Sequence, residues 1–305
     1  MKKKWLKPLL FSMTFLVSAG ISSAQNVGIG TTIPSALLEV AGGDAKINGV
    51  MIGKGGGNIS SNVIAGDSAL HNNTTGIRNT AIGLRALYSN KGGSFNVANG
   101  NAALFSNIAG IDNTAIGNEA LFSNDSGAIN TALGDWTMFY NTKGNFNTGI
   151  GGRALYNNTI GTGNSATGLS SLFNSTIGSY NSALGFNSGT VNVTGSKNTL
   201  IGAFTDVTAD DLTNAGAIGY NAKVAASNSF VIGGTGADAV NVGIGIIAPV
   251  EKMDINGAVR INSAQYTNVV HNATTPVPSG GAGTIVYYDT HFFGWNGTVW
   301  KQLDN

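Results

Sequence analysis

Two glycine phrases are the chain's nearest approach to a cofactor motif. Gly243-x-Gly245-x-x-Ala248 and Gly149-x-Gly151-x-x-Ala154 match, letter by letter, the fingerprint that seats a dinucleotide pyrophosphate on a helix N-terminus. Context refutes both. The first is closed by Pro249 instead of opening a helix, and the second is one row of a repeat. Gly53-Lys54 lacks the Ser or Thr of a phosphate-binding loop. His71, His271 and His291 stand in unrelated segments with no partner at ligand or triad spacing, and His71 merely fills the aromatic place of its row. Asp210-Asp211 and Glu251 with Asp254 are the close carboxylates; they read as solvated turns, since no general acid and base can be assigned from them. Acidic residues do not recur from row to row, so the calcium-binding nonapeptide pattern is missing. The expectation is no catalytic residue, no cofactor and no metal.

The elements that would have to position any site are those of a repeat. From Asn62 to Gly202 the phrase Asn-Thr-Ala-Ile-Gly-x-x-Ala-Leu-Phe-x-Asn-x-x-Gly-x-x returns every seventeen residues. Asn opens the rows at Asn62, Asn79, Asn96, Asn113, Asn130, Asn147, Asn164, Asn181 and Asn198. Gly follows at Gly66, Gly83, Gly100, Gly117, Gly134, Gly151, Gly168, Gly185 and Gly202, and a second Gly closes each row from Gly76 to Gly195. Such an array specifies a stack in which each unit is stable only against its neighbours. Its apolar places do not fall at helical spacing, and Gly in every window argues further against helix, where each costs about 1 kcal/mol relative to Ala. Ala81-Ile82 and Ala115-Ile116 read as short strands, and the Ala-Leu-aromatic triplet (Ala86-Leu87-Tyr88, Ala103-Leu104-Phe105) as a second strand of the same coil.

The expected architecture is therefore an all-β parallel β-roll or solenoid, with two short strands and two turns per coil. Glycines mark its corners, where the backbone needs positive φ or close approach. The Asn column, Asn79 to Asn198, and a Thr column beside it (Thr80, Thr114, Thr131, Thr148, Thr199) are expected to hydrogen-bond from coil to coil, as Asn ladders do in cross-β stacks. With strands about 4.8 Å apart, ten or so coils extend on the order of 50 Å. After Gly202 the glycine beat holds at seventeen to Gly219 and drops to fourteen at Gly233, which suggests one shortened corner while stacking continues.

The ends read differently. Lys2, Lys3, Lys4 and Lys7, then an apolar run from Leu9 to Val17 and Ser22-Ser23-Ala24, form a secretory leader, with cleavage expected near Ala24. Of the sixteen Lys and Arg, four lie in that leader, leaving twelve against fifteen Asp and Glu. Without a basic run the chain is not expected to bind nucleic acid or anionic lipid, and no later segment has the length of a membrane span. Cysteine is lacking, and asparagine outnumbers all four charged types together, so the surface is neutral and hydrogen-bonding.

Asn26-Val27-Gly28-Ile29-Gly30 with Leu38-Glu39-Val40 returns, 215 residues on, as Asn241-Val242-Gly243-Ile244-Gly245 with Met253-Asp254-Ile255. Each reads as a strand, a Pro-marked turn and a second strand. Ile47 to Ser61, with its glycine cluster, reads as a loop, and Thr274 to Gly283 as part of a linker. In the tail, Asn296-Gly297 between Phe292-Phe293-Gly294-Trp295 and Val299-Trp300 is a type I′ hairpin signal. Trp295 and Trp300 are candidate sugar contacts, with a small apolar core as their plainer use. The segments are 1–24 (leader), 25–61 (first module and lead-in), 62–236 (array), 237–263 (second module), 264–283 (linker) and 284–305 (aromatic tail).

Asn113-Thr114-Ala115-Ile116-Gly117, Asn198-Thr199-Leu200-Ile201-Gly202, Ala217-Ile218-Gly219 and Asn228-Ser229-Phe230-Val231-Ile232-Gly233 resemble the head repeats of trimeric autotransporter adhesins of the YadA type. The likeness covers roughly Asn62 to Gly236, and implies a left-handed roll, three chains around one axis and surface attachment. Most rows here are longer than that family's usual head repeat, and the chain carries neither its heptad stalk nor its C-terminal barrel strands. The two Val-Gly-Ile-Gly modules are instead similar to segments of phage-tail-fibre-like surface proteins of Bacteroidetes-type bacteria.

The function expected is a non-enzymatic extracellular adhesin or fibre head, a homotrimer holding glycan or matrix weakly at many points. Two alternatives are a monomeric ice- or polysaccharide-binding solenoid using the Thr and Asn columns, and a phage-like spike with depolymerase activity. The last lacks paired carboxylates within the array.

Overall fold

The computed structural model describes residues 27–29, 31–33, 36, 38–40, 43–256, 285–288, 291–295 and 300–302. The leader and the 264–283 linker lie outside them. The chain divides into two compact units, Met1–Ala239 and Val240–Asn305.

In the first unit β1 (Val27–Ile29) and β2 (Leu38–Val40) pair in parallel. The segment expected as a loop contains a hairpin. Asn48 and Gly49, at φ 48° and 87°, form a two-residue turn of the kind that demands positive φ at both places. It joins β3 (Ala45–Ile47) to β4 (Val50–Gly53), which lies antiparallel on the first strand of the array and covers that edge. A short 3-10 turn, Gly56–Asn58, follows.

The array then supplies β5 (Val63–Ala65), β6 (Thr80–Ile82), β7 (Val97–Asn99), β8 (Thr114–Ile116), β9 (Thr131–Leu133) and β10 (Thr148–Ile150). It continues through β11 (Ser165–Thr167), β12 (Ser182–Leu184), β13 (Thr199–Ile201), β15 (Gly216–Ile218) and β17 (Phe230–Ile232). These strands lie side by side in one parallel sheet, thirteen-stranded with β3 and β4. The register steps by seventeen from Val63↔Thr80 to Thr199↔Gly216, then by fourteen at Gly216↔Phe230. The fold is all-β, a β-solenoid of about ten turns.

Most coils carry one strand, not two. The Ala-Leu-aromatic triplet turns, because the residues at the seventh and ninth places of the row take left-handed backbone: Arg85 and Leu87 at φ 56° and 52°, Glu119 and Leu121 at 54° and 52°. The turn still bonds to the next coil, Leu87 N–H donating to Ala103 O at 3.0 Å and Ser89 N–H to Phe105 O at 2.9 Å. Inter-coil bonding thus does not need an extended chain here. A second strand forms only near the end, where β14 (Asp206–Val207) pairs with β16 (Lys223–Val224).

The core is thin, one layer of Ala from the strand (Ala81, Ala98, Ala115) facing Ala and Leu from the turn (Ala86, Leu87, Ala103, Leu104). Its exceptions compensate one another. Met138 replaces Leu where the following coil has Gly149 for Ala, and a Cβ there would meet Met138 Cε at 3.0 Å and Thr137 Cγ2 at 2.7 Å. Gly189 replaces Leu, and Leu200 in the next coil replaces Ala; a Cβ on Gly189 would lie 3.0 Å from Leu200 Cδ1. Volume is conserved across neighbouring coils, as close packing requires.

In the second unit β18 (Val242–Ile244) and β19 (Met253–Ile255) form a parallel pair like the first module. β20 (Ile285–Tyr288), β21 (His291–Trp295) and β22 (Trp300–Gln302) form an antiparallel sheet. The pairing sets Trp295 opposite Trp300, whereas a two-residue Asn296-Gly297 turn would have set it opposite Thr298.

The first glycine of each row is held by both φ and space. Gly117 sits at φ 136°, and a Cβ would lie 2.4 Å from Gly134 O of the next coil. Gly117→Val is therefore expected to cost about 3 kcal/mol or more, from strain and overpacking together. Asp125→Asn, on a side chain without a fixed partner among the described residues, should leave urea unfolding within about 0.5 kcal/mol of wild type.

Candidate functional surfaces

Most rows direct two Asn inward. From Asn79 to Asn198 the backbone N–H of each opening Asn donates to the Oδ1 of the one before it. Asn96 N–H thus donates to Asn79 Oδ1 at 3.0 Å, and Asn96 Nδ2 donates to the same oxygen at 3.2 Å and to the closing Gly110 O of its own row at 2.8 Å. The twelfth place of the row holds a second Asn column that the sequence reading did not single out as a ladder. Asn90 Nδ2 donates to Asn73 Oδ1, Asn107 to Asn90, Asn124 to Asn107, Asn141 to Asn124 and Asn158 to Asn141, all at 2.8 Å. The pattern was in the phrase itself, whose twelfth letter is Asn in most rows.

The two columns meet at the closing glycine. Gly93 O accepts Asn79 Nδ2 and Asn90 Nδ2, both at 2.9 Å, and a Cβ on Gly93 would lie 2.4 Å from Asn90 Oδ1. That glycine is required by close approach; the positive φ expected at every corner belongs to Gly66 through Gly202. The Thr column behaves otherwise. Strand alternation turns it outward, Thr80, Thr114, Thr148 and Thr199 half-buried and Thr131 exposed, and no hydroxyl ladder joins it among the described residues.

The inner ladders are sealed from solvent, so the surface is made by the outward side chains. The outer face of the sheet carries the second and fourth residues of each row, an irregular Thr/Ser/Val column beside a mostly aliphatic one. Ile82, Ile116, Leu133, Ile150, Leu184 and Ile201 make up the latter, with Leu184 51% exposed. Beyond the Thr column lies the seventeenth place of the row, where Phe95, Ile129, Phe146 and Tyr180 are exposed, Phe146 at 59% and Tyr180 at 63%, and are interspersed with Arg78, Asp112 and Lys197.

On the turn, His71, Tyr88, Phe105, Phe122, Phe139, Tyr156 and Phe173 form one stack, successive centroids 4.9 to 5.5 Å apart. Ring faces are consumed by neighbouring rings, which leaves edges for solvent and gives no platform for a sugar. Burial in the stack, then a hydrogen bond with Tyr140 that favours the protonated form, raises the Tyr156 phenol above its usual value. Trp136, whose row place takes φ 56°, lies 4.7 Å beneath the Arg153 guanidinium, and its indole N–H is buried without a partner.

Trp295 and Trp300 stand opposite one another in the second unit, and the array residues form separate columns in the first. Among the described residues no group of three or more His, Cys, Asp or Glu gathers as a metal site would need. No helix among them is long and apolar enough to cross a membrane. No protein-family model, curated protein or solved structure matches this chain.

Two buried polar features break the columns. Ser175 takes the place of the second Asn, and Asn158 Oδ1 and Ser175 Oγ are both buried without a partner. Ser175→Asn restores the missing rung and is expected to stabilise the chain by about 1 kcal/mol, read as a rise in urea midpoint at unchanged m. An unchanged midpoint would mean that the ladder contributes nothing at that rung.

Asp206 stands where other rows have Leu, buried, its carboxylate accepting Val191 N–H at 3.0 Å, the Thr190 hydroxyl at 2.9 Å and Val207 N–H at 3.0 Å. Burial holds its pKa above the ordinary 3.8, opposed by those hydrogen bonds and by Lys223. The folded chain therefore keeps the proton more tightly, so stability from this group is full below the unfolded value and is lost as pH rises through the folded one. Asp206→Asn keeps an acceptor for the two N–H groups and a donor for the Thr190 hydroxyl. It should gain on wild type as pH rises from acid to neutral, with a flatter dependence of urea midpoint on pH. A parallel pair of curves would refute the assignment.

Proposed function

We propose that this chain is a non-enzymatic extracellular attachment protein whose array is the head of a three-chain fibre. The carrying observation is the outward sheet face, where exposed Ile and Leu recur at one place of most rows, from Ile82 to Ile201. A face repeated coil by coil offers the same columns to every copy, so copies gathered about one axis can bury it in a closed symmetric assembly. The leader and the neutral, asparagine-rich composition support export to a surface. Attachment then comes from the remaining outward columns, weak at each coil and strong by number. Glycan or matrix is the target class that a neutral, hydrogen-bonding surface suits.

A second reading draws on the same face. Hydroxyls of the outward Thr column recur in most coils at the strand spacing, a lattice that suits ice or a crystalline polysaccharide if the chain is monomeric. Molecular mass separates the two, since one face cannot serve both. Light scattering on the leader-free chain should give three chains, and Leu133→Asp with Ile150→Asp should give monomers of unchanged circular dichroism that lose binding to immobilised glycan or matrix. A wild-type monomer would overturn the three-chain reading and turn attention to thermal hysteresis.

A further inference from the structure

The two Val-Gly-Ile-Gly modules share one design. Val27 pairs with Leu38 and Val242 with Met253, each strand meeting a partner eleven residues later. Both carry the same tight turn, a Cβ on Gly28 falling 2.5 Å from Thr31 O and one on Gly243 2.6 Å from Ile246 O. In the second module the middle residues of the strands, Gly243 and Asp254, share one face, where the Asp254 carboxylate accepts Val250 N–H at 3.2 Å. The other face is apolar and uncovered: Ile244 is 49% and Met253 61% exposed, and in the first module Leu38 is 58% exposed. Ile247, at the turn, is fully exposed. Two parallel strands of three residues with a bare apolar face do not hold by themselves.

The array has the opposite problem. Its rows present nearly the same residue types, so one copy sliding past another by a coil meets almost the same columns again, and the face alone leaves the register open. We propose that each module is a register clamp, completed by the same module of the other copies, with the apolar faces packed together and, in the second module, Gly243 and Asp254 outward. The modules differ from every row, and they flank the array in the chain at a fixed separation of 215 residues. Only copies aligned residue for residue satisfy both. This inference rests on the three-chain reading.

The chain has no cysteine, so a single introduced thiol reports alone. In the full leader-free chain, Ile247→Cys should form inter-chain disulfides on mild oxidation in roughly tenfold higher yield than Ser126→Cys on the exposed array surface, reflecting the effective concentration within a closed module. Adding Met253→Asp should return that yield to the Ser126→Cys level while light scattering still shows an oligomer. A wild-type monomer overturns both readings. An oligomer in which Ile247→Cys links no better than Ser126→Cys overturns the clamp and leaves the three-chain head standing. Disulfides between Ile33→Cys chains and Ile247→Cys chains in a mixture overturn the in-register arrangement, in which each module meets only its own counterpart.

Discussion

The structure depends on burying primary amides whose hydrogen bonds are completed by a neighbouring coil. A coil of this size encloses a layer of Ala and Leu too thin to exclude two Asn side chains, so the amides are part of the interior. An amide with no partner there would cost about 1–3 kcal/mol, and the adjacent coil supplies the partner at a fixed translation. Each coil is therefore incomplete alone, and stability resides in the interfaces between coils. The closing glycine follows from the same constraint: two amides converge on its carbonyl and leave no volume for a Cβ, as at Gly93. The first glycine answers to a different demand, the left-handed corner at which the strand leaves the sheet, as at Gly117.

Translation also explains the aromatic stack. A residue type repeated at one place of the row is brought to the next copy of itself at about the strand spacing, which is close to the separation at which flat rings pack face to face. Tyr88 and Phe105 need no pairing signal beyond their places in the row, with centroids 5.2 Å apart. His71 ends the column as a ring of similar shape, and its stacking on Tyr88 accounts for it without a metal or a catalytic role.

What could be read in the sequence was whatever repeats. The coil, the parallel sheet, the seventeen-residue step and its shortening before Phe230 follow from the spacing of Asn and Gly, because a period fixes a register. The second strand expected in each coil did not form, since nothing in the letters Ala-Leu-Tyr announces that Arg85 and Leu87 take left-handed backbone. Such angles disfavour these residues when taken singly; the hydrogen bonds and burial of the neighbouring coils impose them. Compensations between coils were equally hidden. Gly149 and Gly189 look like lapses in the row until Met138 and Leu200 are seen filling the space. The hairpin at Asn48-Gly49 was legible by the same rule that was applied to Asn296-Gly297, and was masked by the glycine cluster after it.

A scaffold built of columns constrains how function can be placed on it. A catalytic constellation needs different residues at one point, whereas translation delivers the same residue at many points. The surfaces that this architecture offers most readily are therefore extended ones, an aliphatic face on the sheet and a hydrogen-bonding surface around it. The places where the columns break, Ser175, Asp206 and Trp136 under Arg153, are single events inside coils or along one edge, and they change the stability of a coil more than its outward chemistry. On the three-chain reading proposed above, recognition is additive along the stack and gains from copies of the array held side by side and in step. On that reading the array repeats too faithfully to set the alignment by itself, which leaves the task to segments that do not repeat within it.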